Sequence, residues 1–262
     1  MGQPSSTPPI PLPAIVLAGG RISPEMQQAT GLATLGLVPL AGQPMVAHVV
    51  RALSAAKSVS DVWVVGPEAL RSAVGTAHLV PEAGEMAANI EAGVRASAAA
   101  SLMLLCTADV PFLTPQAVDD FVERCVASGA DLCYAIVRRE DALEAYPGMH
   151  RTFVRTGDGA FTGGNLVVMR VPYLTNILAL IETVRAARKS PLKLAKVFGP
   201  AILLGFLLGC VKVKRIEQRA ARLVGGTLRA IVTPYPEIAA DVDKPEDLRA
   251  AENLLAQRAS GA

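Results

Sequence analysis

The stretch Ala14-Ile15-Val16-Leu17-Ala18-Gly19-Gly20-Arg21 decides the fold. Five apolar residues of strand type run straight into two glycines, and a buried strand ending in a glycine turn is how phosphate-binding loops begin at the edge of an α/β sheet. Outward from it the alternation of strand and helix repeats. Residues 44–54 carry Met45, Val49, Val50 and Leu53 at helical spacing, with Pro44 suited to a first helical turn. Residues 62–65 form a second strand closed by Gly66-Pro67, 86–100 a helix, and 102–106 a third strand stopping at Thr107-Ala108-Asp109. Thr114 and Pro115 supply an N-cap and a first-turn proline for a helix to Ser128, and 132–137 is a further strand. This order requires crossover connections. The spacing therefore predicts a three-layer α/β/α domain on a mostly parallel, Rossmann-like sheet.

Beyond Arg138 the rhythm changes. Residues 146–158 read as irregular, Gly163-Gly164-Asn165 leads into a strand at 166–169, and 174–188 has a helical pattern. A strand at 227–232 and a helix at 245–258 follow. The expected organisation is a flexible Pro-rich leader over 1–13 and one domain over 14–258, with a small helical insertion at about 174–225. His48 falls in the 44–54 helix and His78 and His150 in loops, and none is given a role.

Composition narrows the class. In 262 residues, 51% are hydrophobic but only 4% aromatic, which excludes disordered and fibrous chains and favours helices on a buried sheet over an aromatic-rich sandwich. Cys106, Cys125, Cys133 and Cys210 form no C-x-x-C pair and read as buried, reduced thiols. With no secretory signal in view, and with the apolar run 197–211 too short and glycine-broken to span a bilayer, the expected location is the cytoplasm.

Charge is unevenly spread. Between Arg185 and Arg222 ten Lys or Arg accompany one acid, Glu217, a local charge of +9 within a total of +2, leaving −7 for the rest. Such a segment suits an anionic partner or is a solvated cationic helix face. Residues 190–224 join these cations to the apolar run 201–208. They are ranked first as core or as an interface in a homo-oligomer, next as a lid over an acceptor phosphate. A peripheral membrane contact through 197–215 ranks last, because glycines interrupt the amphipathic face. Aromatic residues for base stacking are scarce there, which argues against a nucleic-acid partner.

Three features are expected at the carboxyl edge of the sheet: the Gly19-Gly20-Arg21 turn, Asp109, and Asp241-Val242-Asp243 before the last helix. Glycines let backbone N–H groups approach a phosphate, an arginine offsets its charge, and two carboxylates from distant loops can share a Mg²⁺ that also binds substrate phosphates. Each feature alone has an ordinary alternative. The turn reads equally as a plain turn, Asp109 as a cap before Pro111, Asn165 as a turn residue, and Asp243 as an N-cap for the helix at Pro245. Their order along one chain carries the functional reading. A dinucleotide-binding oxidoreductase would need G-x-G-x-x-G, and the loop here runs Gly19-Gly20-Arg21-Ile22-Ser23-Pro24.

AIVLAGG (14–20), PLAGQPMVAHVVRAL (39–53), TADVPFLTPQAVDDFV (107–122), FTGGNLVVMR (161–170) and DVDKPEDLRAAENLL (241–255), in that order, resemble the successive motifs of MobA-like NTP transferases. That family includes molybdenum-cofactor guanylyl- and cytidylyltransferases and has the nucleotide-diphospho-sugar transferase fold. The likeness spans about residues 14–255. It implies Mg²⁺-dependent transfer of an NMP from an NTP, with GTP or CTP the family's donors, to a small phosphorylated acceptor whose oxygen attacks the α-phosphorus as pyrophosphate leaves. It also implies roles. Leu17, Ala18, Gly19, Gly20 and Arg21 would cradle the triphosphate, with Arg21 offsetting charge. Asp109 and Asp243 would hold Mg²⁺, Asn89 would face the nucleotide, and Gly164 and Asn165 would line the acceptor side. The chain departs from the family at two points: the loop lacks a further glycine, and the position of the motif lysine is Leu35. Either Arg21 or a basic residue from 185–196 compensates, or the chain is a nucleotide-binding protein of the same fold with weakened catalysis.

Overall fold

Side chains alternate along β1 (Leu12–Leu17), so Ala14 and Val16 enter one core and Ile15 another, and all three are fully buried. A strand buried on both faces needs a layer of helices on each side. The computed structural model, which describes residues 11–20, 22–99, 101–187 and 197–260, supplies both layers.

After β1 come α1 (Pro24–Thr30), a 3-10 turn (Leu35–Leu37), β2 (Pro39–Leu40), β3 (Gln43–Pro44), α2 (Met45–Ala55), β4 (Val59–Gly66) and β5 (His78–Pro81). Then follow α3 (Met86–Ser97), β6 (Leu102–Thr107), α4 (Pro115–Ser128), β7 (Leu132–Arg138), α5 (Arg139–Ala145), β8 (Val154–Thr156) and β9 (Gly159–Arg170). The chain continues through α6 (Leu174–Ala187), α7 (Pro200–Leu207), α8 (Val213–Val224), β10 (Leu228–Val232) and α9 (Pro245–Ser260). The main sheet has the order β10-β7-β9-β6-β1-β4-β5, with β8 paired to β9. Only β9 runs against its parallel sense, and β8, antiparallel to β9, runs with the other strands. The mostly parallel α/β/α architecture expected from the sequence is the one observed.

Helix α2 puts Val46, Val49, Val50 and Leu53 on one core, which α4 shares through Val118, Phe121 and Val122. Thr114 caps α4 as expected, accepting from the Ala117 amide at 3.2 Å, and Gly129 closes it in the left-handed region. On the other face α3 lies so close to β1 that a Cβ on Gly93 would meet Ile15 Cγ2 at 2.6 Å. That core also takes Ile177 and Leu178 of α6 and Val224 of α8, whereas the part of the segment 174–225 around α7 lies against β8 at the sheet's margin, where the Gly157 amide donates to Val211 O at 2.9 Å.

Several details differ from the sequence reading. Leu12 and Pro13, assigned to the leader, already belong to β1, while residues 1–10 lie outside the described residues. α1, β5 and α5 were not expected. His78, placed in a loop, is in β5, where its ring stacks on Trp63 at 4.1 Å. Cys210 is exposed, unlike the other three cysteines. Gly163-Gly164-Asn165 does not precede a strand but lies inside β9. The glycines are there for room. Tyr134 of β7 covers Gly163, and a Cβ on Gly164 would meet Ile238 Cγ2 at 2.7 Å.

Topology positions the site. From β1 the chain moves outward through β4 to β5, then crosses to β6 on the opposite side, so the strand order reverses at the carboxyl end of β1. Ligands of open α/β sheets bind at such a switch point. Antiparallel β9 lies between β6 and β7, with Leu166 opposite Cys106 and Gly163 opposite Ile136, and so brings its own first half to the same edge.

Candidate active site

The turn after β1 is pinned on both sides. The Ala18 amide donates to Val65 O at 2.8 Å and the Ala108 amide to Leu17 O at 3.1 Å, which leaves Gly19 and Gly20 to step off the sheet. Around Gly19 there is no space for a side chain: a Cβ would lie 2.7 Å from Glu82 Oε2 and 3.2 Å from Asn89 Nδ2. Gly20 faces open space. Asn89, in α3 and 4% exposed, accepts from the Ala83 amide at 2.7 Å and donates to Gly84 O at 3.1 Å. Its side chain therefore holds the 82–85 loop over Gly19. Arg21 lies outside the described residues.

The carboxylates gather across the end of β6. The Val242 amide donates to Asp109 O at 2.8 Å, and Val242 itself is fully buried, so Asp241 and Asp243 are set on either side of a fixed point beside Asp109. Burial pushes the Asp109 carboxyl up to about 7. The Thr107 hydroxyl, which donates to Asp109 Oδ1, opposes the rise, and the Asp241 and Asp243 charges add to it. Asp243 is also raised, by desolvation first and then by Asp241 and Asp247.

Asp241 is held from two directions. Asn165 Nδ2 donates to its Oδ1 at 3.3 Å and to Ile238 O at 3.3 Å. The Arg151 guanidinium, 7% exposed, donates through Nη2 to Asp241 O at 2.9 Å and has Nη1 3.7 Å from Oδ1. Asp247, buried in α9, accepts from the His150 amide at 2.9 Å and the Lys244 amide at 3.2 Å, fastening the Arg151 segment to the start of the helix. Nearby, desolvation and then the Asp241 charge raise the Tyr134 phenol.

Leu35 sits in the 3-10 turn beside Gly36, where a Cβ on Gly36 would lie 3.9 Å from Ala108 Cβ. Its side chain packs against an apolar cluster that includes Met26, Val38, Met45, Phe112 and Val242. This cluster backs the carboxylate loop through Val242. The lysine position is thus near the site, and the leucine there serves its foundation.

The residues fit a divalent cation. Asp109 is displaced upward chiefly by burial, with the Asp241 and Asp243 charges adding to it, and bound positive charge would favour its ionised form. Among the described residues no three His, Cys, Asp or Glu side chains converge as a closed metal cage. Mg²⁺ needs none, since it binds through one or two carboxylates, waters and substrate phosphates. Asp109 and Asp243 would be the donors for such an ion.

Residues 14–196 match the model of the MobA-like NTP transferase domain, well over half of the chain. The chain belongs to this family. The transferase is 38% identical to a hypothetical transferase from Thermus thermophilus, with a TM-score of 0.81 over 91% of this chain and 100% of that one. It shares its fold with a CMP:2-keto-3-deoxy-manno-octonic acid synthetase complexed with CTP (15% identity, 95% and 99% of the chains, TM-score 0.60). The molybdopterin-guanine dinucleotide biosynthesis protein A of Archaeoglobus fulgidus has that fold too (13% identity, 94% and 100% of the chains, TM-score 0.53). Over 129 residues, 44% of its length, this chain is 33% identical to the bifunctional protein GlmU of Rhodospirillum rubrum. The transferase matches 26% of that curated relative's length.

Of the residues singled out in the transferase sequence, the structure brings Leu17, Ala18, Gly19, Gly20 and Asn89 together on one side of the strand ends. On the other side it gathers Asp109, Asp243 and Asn165. Gly164 lies beneath Ile238 and Ala135. Three residues were missed: Thr107, Arg151 and Glu82. Thr107 was legible as the last strand residue two positions before Asp109. Arg151 carried no local signal, because its partner Asp241 lies 90 residues away.

Proposed function

We propose that the protein transfers an NMP from an NTP to a small phosphorylated acceptor with release of pyrophosphate, using Mg²⁺. One observation carries this reading: Asp109 and the Asp241-Val242-Asp243 loop are joined by the 2.8 Å bond from Val242 N to Asp109 O, beside the Gly19-Gly20 turn at the switch point of the sheet. Backbone N–H groups of the Gly19-Gly20 turn meet the triphosphate from the open side of Gly20, where no atom lies within 4 Å of a Cβ position. Asp109 and Asp243 hold Mg²⁺, whose role is to neutralise charge on the phosphates. Asn89 keeps the 82–85 loop closed over Gly19 and so shapes the nucleotide side. Asn165, through Asp241, fixes the carboxylate loop against β9, on the side assigned to the acceptor together with Gly164.

In the reaction an acceptor oxygen forms a bond to the α-phosphorus, the bond from that phosphorus to the bridging oxygen breaks, and pyrophosphate departs. The protein contributes position and charge rather than covalent chemistry. The test is pyrophosphate release with each of the four NTPs over a panel of acceptor phosphates. Turnover with one NTP, lost on Asp109→Asn and Asp243→Asn, supports the reading; turnover that ignores both substitutions overturns it.

A second reading, nucleotide binding with weakened catalysis, is favoured by Leu35, whose side chain is committed to the apolar cluster. It predicts tight NTP binding with little turnover and a gain on Leu35→Lys. Of the proposed sources of compensating charge, Arg21 and the basic residues of 185–196, Arg21 and residues 188–196 lie outside the described residues, as does the side chain of Arg185.

A further inference from the structure

Among the described residues, the hydrogen bonds and ion pairs of α7 and α8 run to neither the Gly19-Gly20 turn nor the Asp109, Asp241 and Asp243 carboxylates. Along α7 and the residue after it, Leu204, Leu207 and Leu208 are 57%, 75% and 69% exposed, well above any other large apolar side chain described. Ala201, Leu204 and Leu208 fall three and four apart, so they form one stripe. In the sequence, glycines break this run. In the structure Gly205 points inward, where a Cβ would meet Val211 Cβ at 2.9 Å, and the Cys210 amide donates to its carbonyl at 2.9 Å. The break is on the packed side and the outer stripe is continuous.

Ala201, at the head of this stripe, also lines a cleft of about 530 Å³ whose far wall is Arg215, Gln218, Arg219 and Arg222 of α8. Those four lie at helical spacings of three and four and make one cationic face. The opposite face of α8 buries Glu217, the single acid between Arg185 and Arg222, which accepts from the Ala230 amide at 2.8 Å and pairs with Arg229 at 3.4 Å. Asp158, the carboxylate that reaches α8 from the β8–β9 turn, accepts from the Val213 amide at 2.8 Å. Arg219 donates to Val197 O at 2.9 Å and fixes the lip of the cleft. Among the described residues neither Arg215 nor Arg222 is paired with a carboxylate. Exposed Lys212 and Lys214 extend the same charge.

We propose that this face docks on an anionic phospholipid bilayer, with the leucine stripe entering the acyl boundary and Arg215 and Arg222 meeting lipid phosphates. Burial of apolar area and attraction of anionic headgroups add together at a bilayer surface, and this face offers both side by side. A nucleic acid would satisfy the arginines and leave the leucines in water. A second copy of this chain seated symmetrically would bury the cationic patch twice. No helix among the described residues is long and apolar enough to cross a membrane, so the contact is peripheral.

The test is co-sedimentation of the full chain with phosphatidylcholine vesicles, with and without phosphatidylglycerol. Binding is expected only with phosphatidylglycerol and is expected to fall with salt. Arg215→Gln and Arg222→Gln should each weaken it about fivefold. Leu207→Ser with Leu208→Ser should weaken it more than tenfold, and all variants should keep the wild-type unfolding midpoint. Equal binding to both vesicles, or binding indifferent to the leucine pair, overturns the proposal. So does a leucine pair that dissolves an oligomer while no vesicle binding occurs, or preference for an oligonucleotide that is lost with the arginines alone.

Discussion

Replacing Asp109 by Asn should stabilise the protein in the absence of metal and nucleotide, increasingly as the pH rises from about 4 to 7 and fully above that. Asp109 binds its proton more tightly in the folded state, at about 7, than at the ordinary value of 3.8. Between those values the folded chain holds more protons than the unfolded one, so stability falls as pH rises through the window. A displacement of about three pKa units corresponds to about 4 kcal/mol of charge penalty above pH 7. Because Asp109 retains some contact with solvent, screening reduces this to about 2 kcal/mol, or roughly 4–8 °C in a chain of this size. Asparagine keeps an oxygen for the Thr107 hydroxyl, so the substitution removes charge without removing the acceptor. Thermal unfolding of wild type and Asp109→Asn at pH 5 and pH 8 measures the effect. The variant should melt higher at pH 8, with the gap well under half as large at pH 5, and Mg²⁺ should raise the wild type at pH 8 and not the variant. A difference that stays constant from pH 5 to pH 8 would refute the reasoning.

Arg151→Met should lower stability by about 2 kcal/mol, read as a lower urea midpoint, because a guanidinium 7% exposed is lost from Asp241 and its carbonyl. Gly164→Ala should lower it by about 1–3 kcal/mol, since the new methyl meets Ile238 at 2.7 Å and Ala135 Cβ at 3.0 Å inside β9. Calorimetric unfolding would show that loss, and an unchanged melting point would contradict the packing described. Gly19→Ala should weaken NTP binding and raise KM, because its methyl would displace Glu82 from 2.7 Å and disturb the loop held by Asn89; an unchanged KM would argue against that loop shaping the site.

Much of the sheet was legible because its strands are continuous apolar runs. β1 and β6 are buried on both faces, so their residues need no alternation to be recognised, and Gly19-Gly20 and Asp109 mark their ends. α1 was missed because Met26 is its one buried residue, although Ser23 caps it and Gly31 closes it with φ 71°. β5 is four residues long with no fully buried position. β9 was misread at its glycines, which punctuate a sequence as turns do. Here they make room for Tyr134 and Ile238. In the site, Asp109 and Asp243 could be chosen by their place beside a strand end and a helix start. Arg151 could not, since it lies in the irregular stretch between α5 and β8 and its role depends on a contact made only by the folded chain.

The central claim is that Asp109 and Asp243 beside the Gly19-Gly20 turn form one site for a metal-bound NTP. Calorimetric titration of each NTP into wild type and Asp109→Asn, with and without Mg²⁺, tests it most directly. The account predicts that one NTP binds wild type markedly more tightly with Mg²⁺ and that the variant loses this enhancement. Equal Mg²⁺ enhancement in wild type and variant would contradict it.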